Sequence, residues 1–360
     1  MNWKFAIATA LVTACSGESS TVVWQHQTPR PVLAGDSEMR EPQISGDLIV
    51  FCGGYGWDRK GVLAALDQED GERRWEHNVG WCYADPLIVD STAIAFGSQP
   101  THMVLKAVDI PSGRLLWEHN LSRQTTPPVA HAGKVFLAVI DTLYRIDARA
   151  GVIDRTLLPA CGAQPNQRIW LTSTPGRALL GCGPLVLNLN AVGDAVGPLI
   201  TLAAPADRPE FISLDGQRLY IANAGIPATD QLGRLAVFDL TDGRLIWKRE
   251  WRKVLSNVRV GPNELYLNVS APEWALLSLD PATGEERWRS PIRSFQAPVP
   301  VGNKLYTNDR SAVVTLDPQT GSVLSRFRSS GEVSTAPVVL DNRLFFGNLK
   351  GALYAIRADF

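Results

Sequence analysis

A surplus of either charge is missing from this chain. Its 35 basic residues are met by 36 acidic ones, and no basic run or acidic tail stands out, which argues against nucleic acid as a partner. Cysteine is scarce, at five in 360 residues, and no two are adjacent. The five histidines join no Ser, His, Asp constellation, and no glycine-rich phosphate loop is present, so neither acyl transfer nor nucleotide chemistry finds its usual parts. Helical stretches of consequence and low-complexity segments are absent as well. The one conspicuous apolar run, FAIATALV after Lys4, is too short for a permanent membrane span.

What is present is a repeat. Asp, Gly four residues on and Trp eight residues on occur at Asp67, Gly71, Trp75; at Asp109, Gly113, Trp117; at Asp239, Gly243, Trp247; and at Asp280, Gly284, Trp288. Two more copies keep Asp and Gly but carry Arg155 (after Asp147, Gly151) or Ser325 (after Asp317, Gly321) in place of Trp. A degenerate copy passes through Asn190 and Gly193, and a truncated one is ALYAI, with Arg357 in the Asp position. Each motif reads as a hairpin: Asp bonds its own turn, Gly tolerates positive φ, and the flanking apolar runs pair as strands. The period of about 40 residues, with strand-like content throughout, indicates a radial array such as a propeller.

The first residues differ in kind. A basic residue, a short apolar run and the small residues before Cys15 read as a secretory signal over 1–14. The placement of Cys15 resembles a bacterial lipobox, which implies lipidation of Cys15 and a short tether over 15–21. Ser16 after it favours the outer membrane, periplasmic side, by resemblance to sorting rules; the periplasm is the alternative.

Residues 22–360 then form one domain. Each unit divides into four strands counted outward from the axis, with blades expected over 41–79, 81–121, 125–158, 160–202, 210–251, 257–292, 295–327 and 334–360. The last unit lacks an outer strand, and TVVWQHQT near the N-terminus supplies it: Trp24 and His26 match Trp75 and His77. The expected fold is all-β, an eight-bladed β-propeller of four-stranded blades, closed by the N-terminal strand completing the last blade. The fourth blade has the weakest motif, and a seven-bladed ring with that segment inserted is the alternative.

LDPATGEERW, VDIPSGRLLW and FDLTDGRLIW resemble the repeat of the quinoprotein-type (PQQ-like) propellers, in which the outer-strand Trp docks on the neighbouring blade. The resemblance covers nearly all of the chain after the N-terminal segment. A single eight-bladed domain behind a lipobox is similar to the propeller lipoproteins of outer-membrane β-barrel assembly. This implies a non-enzymatic scaffold with a protein partner in the envelope, the assembly β-barrel being the candidate. The competing implications are a periplasmic quinoprotein oxidoreductase and an envelope ligand-binding lipoprotein. The alcohol-oxidising members of the family have a longer chain, a vicinal Cys-Cys pair beside the quinone and a calcium site, and none of these is apparent here. No cofactor, metal or catalytic residue is therefore expected. The repeat tryptophans are expected to pack between blades, and His26, His77 and His119 to lie on separate outer strands.

Without Cys15, an even number of cysteines remains in a chain read as exported. Cys52 and Cys182 end second strands, while Cys82 and Cys161 precede first strands, which puts all four on one face of the ring. The expected pairs are Cys52 with Cys82 and Cys161 with Cys182, against four buried free thiols. Aromatic loops share that face, and Tyr55, Trp57, Arg59, Trp81 and Tyr83 are the expected partner-binding residues, with Trp274 and Phe295 in corresponding loops of later blades.

Overall fold

The structure is a computed structural model that describes residues 21–28, 38–55, 60–123, 125–158, 169–174, 176–182, 185–189, 195–201, 211–223, 225, 232–254, 256, 258–270 and 274–360. Apolar runs separated by turn residues form strands throughout, and no α-helix occurs among the described residues. They pair into eight antiparallel sheets, one per repeat, arranged as an eight-bladed β-propeller. Blade 1 comprises an inner strand in two pieces, Glu38–Met39 and Gln43–Ser45, followed by Leu48–Tyr55, Lys60–Asp67 and Arg73–Asn78. Blades 2 to 7 follow over 81–121, 129–157, 169–201, 211–251, 253–290 and 299–328.

Blade 8 closes the ring. Its inner three strands are Val338–Leu340, Arg343–Gly347 and Ala352–Arg357, and its outer strand is Val22–Gln27, antiparallel to Ala352–Arg357 with Gln25 opposite Tyr354. The Thr28 N–H extends the pairing by donating to the Gly351 carbonyl at 2.9 Å. Blade 4, whose motif is degenerate, is nonetheless a complete four-stranded sheet with Ala195–Thr201 outermost.

Burial follows position in the blade. The second and third strands are covered on both faces by neighbouring blades, so Thr92–Ser98 and Ala312–Leu316 are buried almost throughout. This is why they read as continuous apolar runs. Outer strands alternate, as in Leu115–Leu121, because one side meets solvent.

The repeat motif builds the seams between blades. In each intact turn the Gly N–H donates to the carbonyl of the Asp four residues earlier, at 2.8 to 3.0 Å. These glycines sit at φ between +68° and +76°. The Asp carboxylate receives the N–H of the residue two on, for example Glu69 to Asp67, Thr241 to Asp239 and Ala282 to Asp280, each at 2.8 Å. A β-bulge then adds one residue to the outer strand just before the Trp position, between the pairs Ala65↔Trp75 and Leu66↔Arg73 in blade 1. That extra residue, Arg74, returns to Asp67 at 2.6 Å, and its counterpart Arg287 returns to Asp280 at 2.7 Å.

From there each Trp crosses to the next blade. Trp24, Trp75, Trp117, Trp247 and Trp288 donate their indole N–H to the carbonyls of Gln68, Ile110, Ala148, Pro281 and Pro318, at 2.7 to 3.0 Å. Every acceptor follows the repeat Asp of the next blade. The indole ring covers that turn's glycine so closely that a Cβ on Gly71, Gly113, Gly151, Gly284 or Gly321 would fall within 2.6 Å of it.

The carboxyls of Asp67, Asp147 and Asp280 are held below the ordinary carboxylate range chiefly by Arg74, Lys134 and Arg287. Ser112 does the same at Asp109, and the Thr241 backbone N–H at Asp239. A carboxyl whose pKa is depressed on folding stabilises the fold above its unfolded pKa. That contribution is lost as pH falls through the folded value.

Two glycines isolate the ring contact from backbone strain. Gly113 and Gly133 have φ of +68° and +73°, but a Cβ at Gly113 meets Trp75 at 2.6 Å whereas one at Gly133 meets nothing within 4 Å. Gly133→Ala is expected to cost about 1 kcal/mol of strain and Gly113→Ala about 3 kcal/mol. Trp75→Ala alone should cost about 3 to 5 kcal/mol, and in that background the Gly113→Ala penalty should fall to about 1 kcal/mol. Urea unfolding midpoints of the four variants check this, and an undiminished Gly113 penalty without the indole would refute the contact.

Candidate interaction face and axial cluster

One end of the ring carries the repeat turns. The other carries the hairpins between second and third strands and the links from each outer strand to the next blade. Cys52 does not end the second strand of blade 1, which runs on to Tyr55, and Cys82 belongs to the inner strand of blade 2; the two are joined, with Cα atoms 5.8 Å apart across a sequence separation of 30. Both are buried. Closing such a loop stabilises a fold by roughly 3 to 4 kcal/mol on chain-entropy grounds. Cys182 is also disulfide-bonded. Its partner lies outside the described residues, as do Cys161 and Cys15.

Of the five residues expected to bind a partner, Trp57 and Arg59 lie outside the described residues, and Tyr55 is placed by its backbone, opposite Lys60. Trp81 and Tyr83 flank the buried Cys82. Trp81 is half-buried and pairs with Ser98. Tyr83 is 52% exposed, with its ring edge-on to Phe96 at 5.7 Å. Across the ring, Phe295 is 53% exposed and stands edge-on to Trp274 at 4.8 Å, while the Arg293 guanidinium lies 4.8 Å from the Trp274 ring.

The histidines do not converge. His77 and His119 bond the Gly113 and Gly151 carbonyls at 2.7 and 2.8 Å, each at its own seam beside the docked Trp. His26 sits at the closing seam, and burial, followed by the positive charge of Arg73, lowers its pKa. His131 is buried against Phe136, and His102 is bonded to Thr101. Among the described residues no three His, Cys, Asp or Glu side chains gather as a metal-ion set.

Sequence reading missed the axial cluster. The innermost strand is interrupted in blades 1, 2 and 6, between Met39 and Gln43, Cys82 and Leu87, and Val254 and Arg259. Glu41 and Asp85 sit in the first two interruptions, and Arg259 begins the strand after the third. The Glu41 N–H donates to Asp85 Oδ1 at 2.8 Å, and Arg40 Nε to the Cys82 carbonyl at 2.9 Å. Burial first, and then the negative charge of Asp85, raises the Glu41 carboxyl to about 7 against the opposing charge of Arg259. Asp85 is also raised, by the protein around it, although it is open to solvent. Arg259 Nε is buried without a hydrogen-bond partner, so the guanidinium acts on Glu41 through its charge. Glu41, Asp85 and Arg259 belong to no shared motif, and only blade geometry brings them to one axis.

The quinone that the repeat class implies is a tricarboxylate. The described axial residues fit it poorly, since two acidic side chains, Glu41 and Asp85, stand there against the single cation Arg259, and the Cys52–Cys82 bridge joins two blades instead of two vicinal residues.

Fold and repeat together define an eight-bladed β-propeller whose repeat resembles that of the PQQ-like propellers. A family model described as "Outer membrane protein assembly factor BamB" matches residues 231–307 and 275–359. Proteins of that name from Legionella pneumophila and Shewanella oneidensis are 28% identical over 152 residues and 23% identical over 319 residues. Those alignments cover 41% and 85% of this chain, but 38% and 68% of the relatives' own lengths. The crystal structure of BamB from Moraxella catarrhalis superposes with a TM-score of 0.66 at 18% identity, covering 94% of this chain and 99% of that one. Quinohemoprotein alcohol dehydrogenase from Comamonas testosteroni gives 0.69 at 12% identity, covering 94% of this chain and 76% of that one. At such identities the structural likeness establishes the fold alone.

Replacing Glu41 tests the axial electrostatics. Its raised folded pKa makes the carboxylate destabilising as pH climbs above the ordinary Glu value, so Glu41→Gln should raise the thermal midpoint clearly at pH 8 and little at pH 5. Equal effects at the two pH values would show that Glu41 is not held in its protonated form by the fold.

Proposed function

We propose that this chain is a non-enzymatic, lipid-anchored propeller scaffold on the periplasmic side of the outer membrane, holding a protein partner in outer-membrane β-barrel assembly. In this reading residues 1–14 are an export signal, Cys15 carries lipid, 15–21 form the tether, and 22–360 are a single interaction domain. The observation that carries it is the stapled seam of blades 1 and 2, where Tyr83 is exposed and Trp81 half-exposed over the buried Cys52–Cys82 bridge. Rigid aromatics on a braced loop lose little entropy on binding and supply the type of contact that dominates interfaces. The curated relatives' name supports the setting, and the family resemblance supports the choice of the assembly β-barrel as partner.

A periplasmic oxidoreductase is the second reading, favoured by the fold shared with the alcohol dehydrogenase. The axial carboxylates weigh against it. Affinity capture from detergent-solubilised membranes distinguishes the two. The tagged chain should retain the assembly β-barrel, detected by immunoblot, and Trp81→Ala with Tyr83→Ala should reduce recovery at least about tenfold. Undiminished recovery by that variant would move the partner off this face. A quinone absorbance on purified protein, with dye reduction by alcohols, would replace the scaffold reading.

A further inference from the structure

A second surface lies on the same face of the ring, on blades 6 and 7. Arg293 leaves the outer strand of blade 6, Arg310 turns the hairpin between the second and third strands of blade 7, and Arg328 ends that blade's outer strand. Backbone bonds draw them together. The Arg310 N–H donates to the Arg293 carbonyl at 3.2 Å, and the Ser329 N–H to the Ser311 carbonyl at 2.8 Å. All three side chains are exposed.

None of the three has a carboxylate partner among the described residues, in contrast to arginines elsewhere on the ring such as Arg74, Arg145, Arg234 and Arg287. Asp309, next in sequence to Arg310, is already engaged by Arg326 at 2.5 Å and by the Arg293 backbone N–H at 3.2 Å. Glu332 is exposed beside the group, its neighbour Val333 donating to the Arg310 carbonyl at 2.8 Å. Three guanidinium groups against that one acid leave the patch positive. Two residues from Arg293 stands the exposed ring of Phe295, braced by Trp274.

We infer that this patch binds an acidic segment of a partner protein, its carboxylates forked by Arg310 and Arg328 and an apolar side chain seated on Phe295. Exposed guanidinium groups with no carboxylate partner among the described residues match carboxylates in bidentate geometry, and the Phe295 ring supplies apolar area that a free anion would not use. An anionic bilayer fits less well, because Glu332 would be pressed against the lipid plane whereas an extended peptide can pass beside it. The patch is distinct from the stapled seam of blades 1 and 2 and does not depend on that assignment.

The full chain should be titrated with a short fluorescein-labelled peptide alternating Asp with Phe, with the same peptide carrying Lys for Asp, and with phosphatidylglycerol vesicles. The acidic peptide should bind, more weakly as salt rises, and the Lys peptide should not. Arg310→Glu with Arg328→Glu should weaken binding at least about tenfold, and Phe295→Ala about fivefold, with melting temperatures unchanged. Arg244→Glu, on the opposite face, should leave the affinity as it was. Equal losses from Arg244→Glu would reduce the effect to net charge and overturn the site. Tight binding by the double variant, or capture of vesicles without the peptide, would overturn it too.

Discussion

The interaction on which the ring depends is an indole laid over a glycine. Each docked Trp stands on the outer strand of one blade, while its glycine and its acceptor carbonyl belong to the turn of the next. Only Gly tolerates both the left-handed backbone and the ring above it, and among aromatics only Trp offers this much surface together with an N–H at its edge. The repeat is therefore legible as Asp, Gly, Trp, although the three never act within a single blade. Trp24 extends the scheme across the chain termini, docking on Gly71 and donating to Gln68. Arg343 reinforces that closing seam through Gln68 and Glu69.

This division of labour explains where Trp is missing. Arg155 stands in the Trp position of blade 3, and the blade it would dock on has Asn190 in place of the repeat Asp. Arg155 lies instead over Tyr144 of its own blade, 5.1 Å from the ring centroid. Ser325 occupies the position in blade 7, and blade 8 offers Arg357 where the turn Asp would stand. That seam is filled by rings: Phe327 lies 6.0 to 6.2 Å from Phe346, Tyr354 and Phe360. Blade 4 is the exception, because its position holds Pro198 although the Asp239 turn ahead of it is intact.

The fold was legible because its cause is periodic. Turn chemistry recurs about every 40 residues, and the apolar runs between turns are buried on both sides by the same two neighbours. The pairing of Cys52 with Cys82 was legible for a related reason, since the repeat sets the second strand of one blade beside the inner strand of the next, although the strand holding Cys52 runs on to Tyr55. Nothing comparable marks the axial cluster or the arginine patch. Glu41 and Asp85 meet because two inner strands break at the same height, and no residue pattern announces a break of that kind. Arg293, Arg310 and Arg328 look like ordinary surface charges until blade 7 folds them onto one corner. What distinguishes them is that Asp309 is already taken, which is a fact of geometry alone.

Blades 1 and 2 are consequently unlike the rest of the ring. Apolar packing and, at several seams, the outer Trp dock hold neighbouring blades elsewhere, with single polar contacts such as Arg218 to the Pro281 carbonyl added. Here a covalent bridge lies between the dock and the axis, and two polar contacts continue it inward, Arg40 to the Cys82 carbonyl and Glu41 to Asp85. The seam is thus tied at its rim, its middle and its inner edge. Tyr83, next in sequence to Cys82, inherits that rigidity while its ring stays in solvent. A loop on an ordinary seam would lose conformational freedom when a partner binds; this one has lost most of it on folding. The same contacts place the Glu41 and Asp85 carboxyl groups side by side, and burial raises both. Bracing the loop that carries Tyr83 and pairing two carboxyl groups at the inner strands are, in this ring, consequences of a single set of contacts.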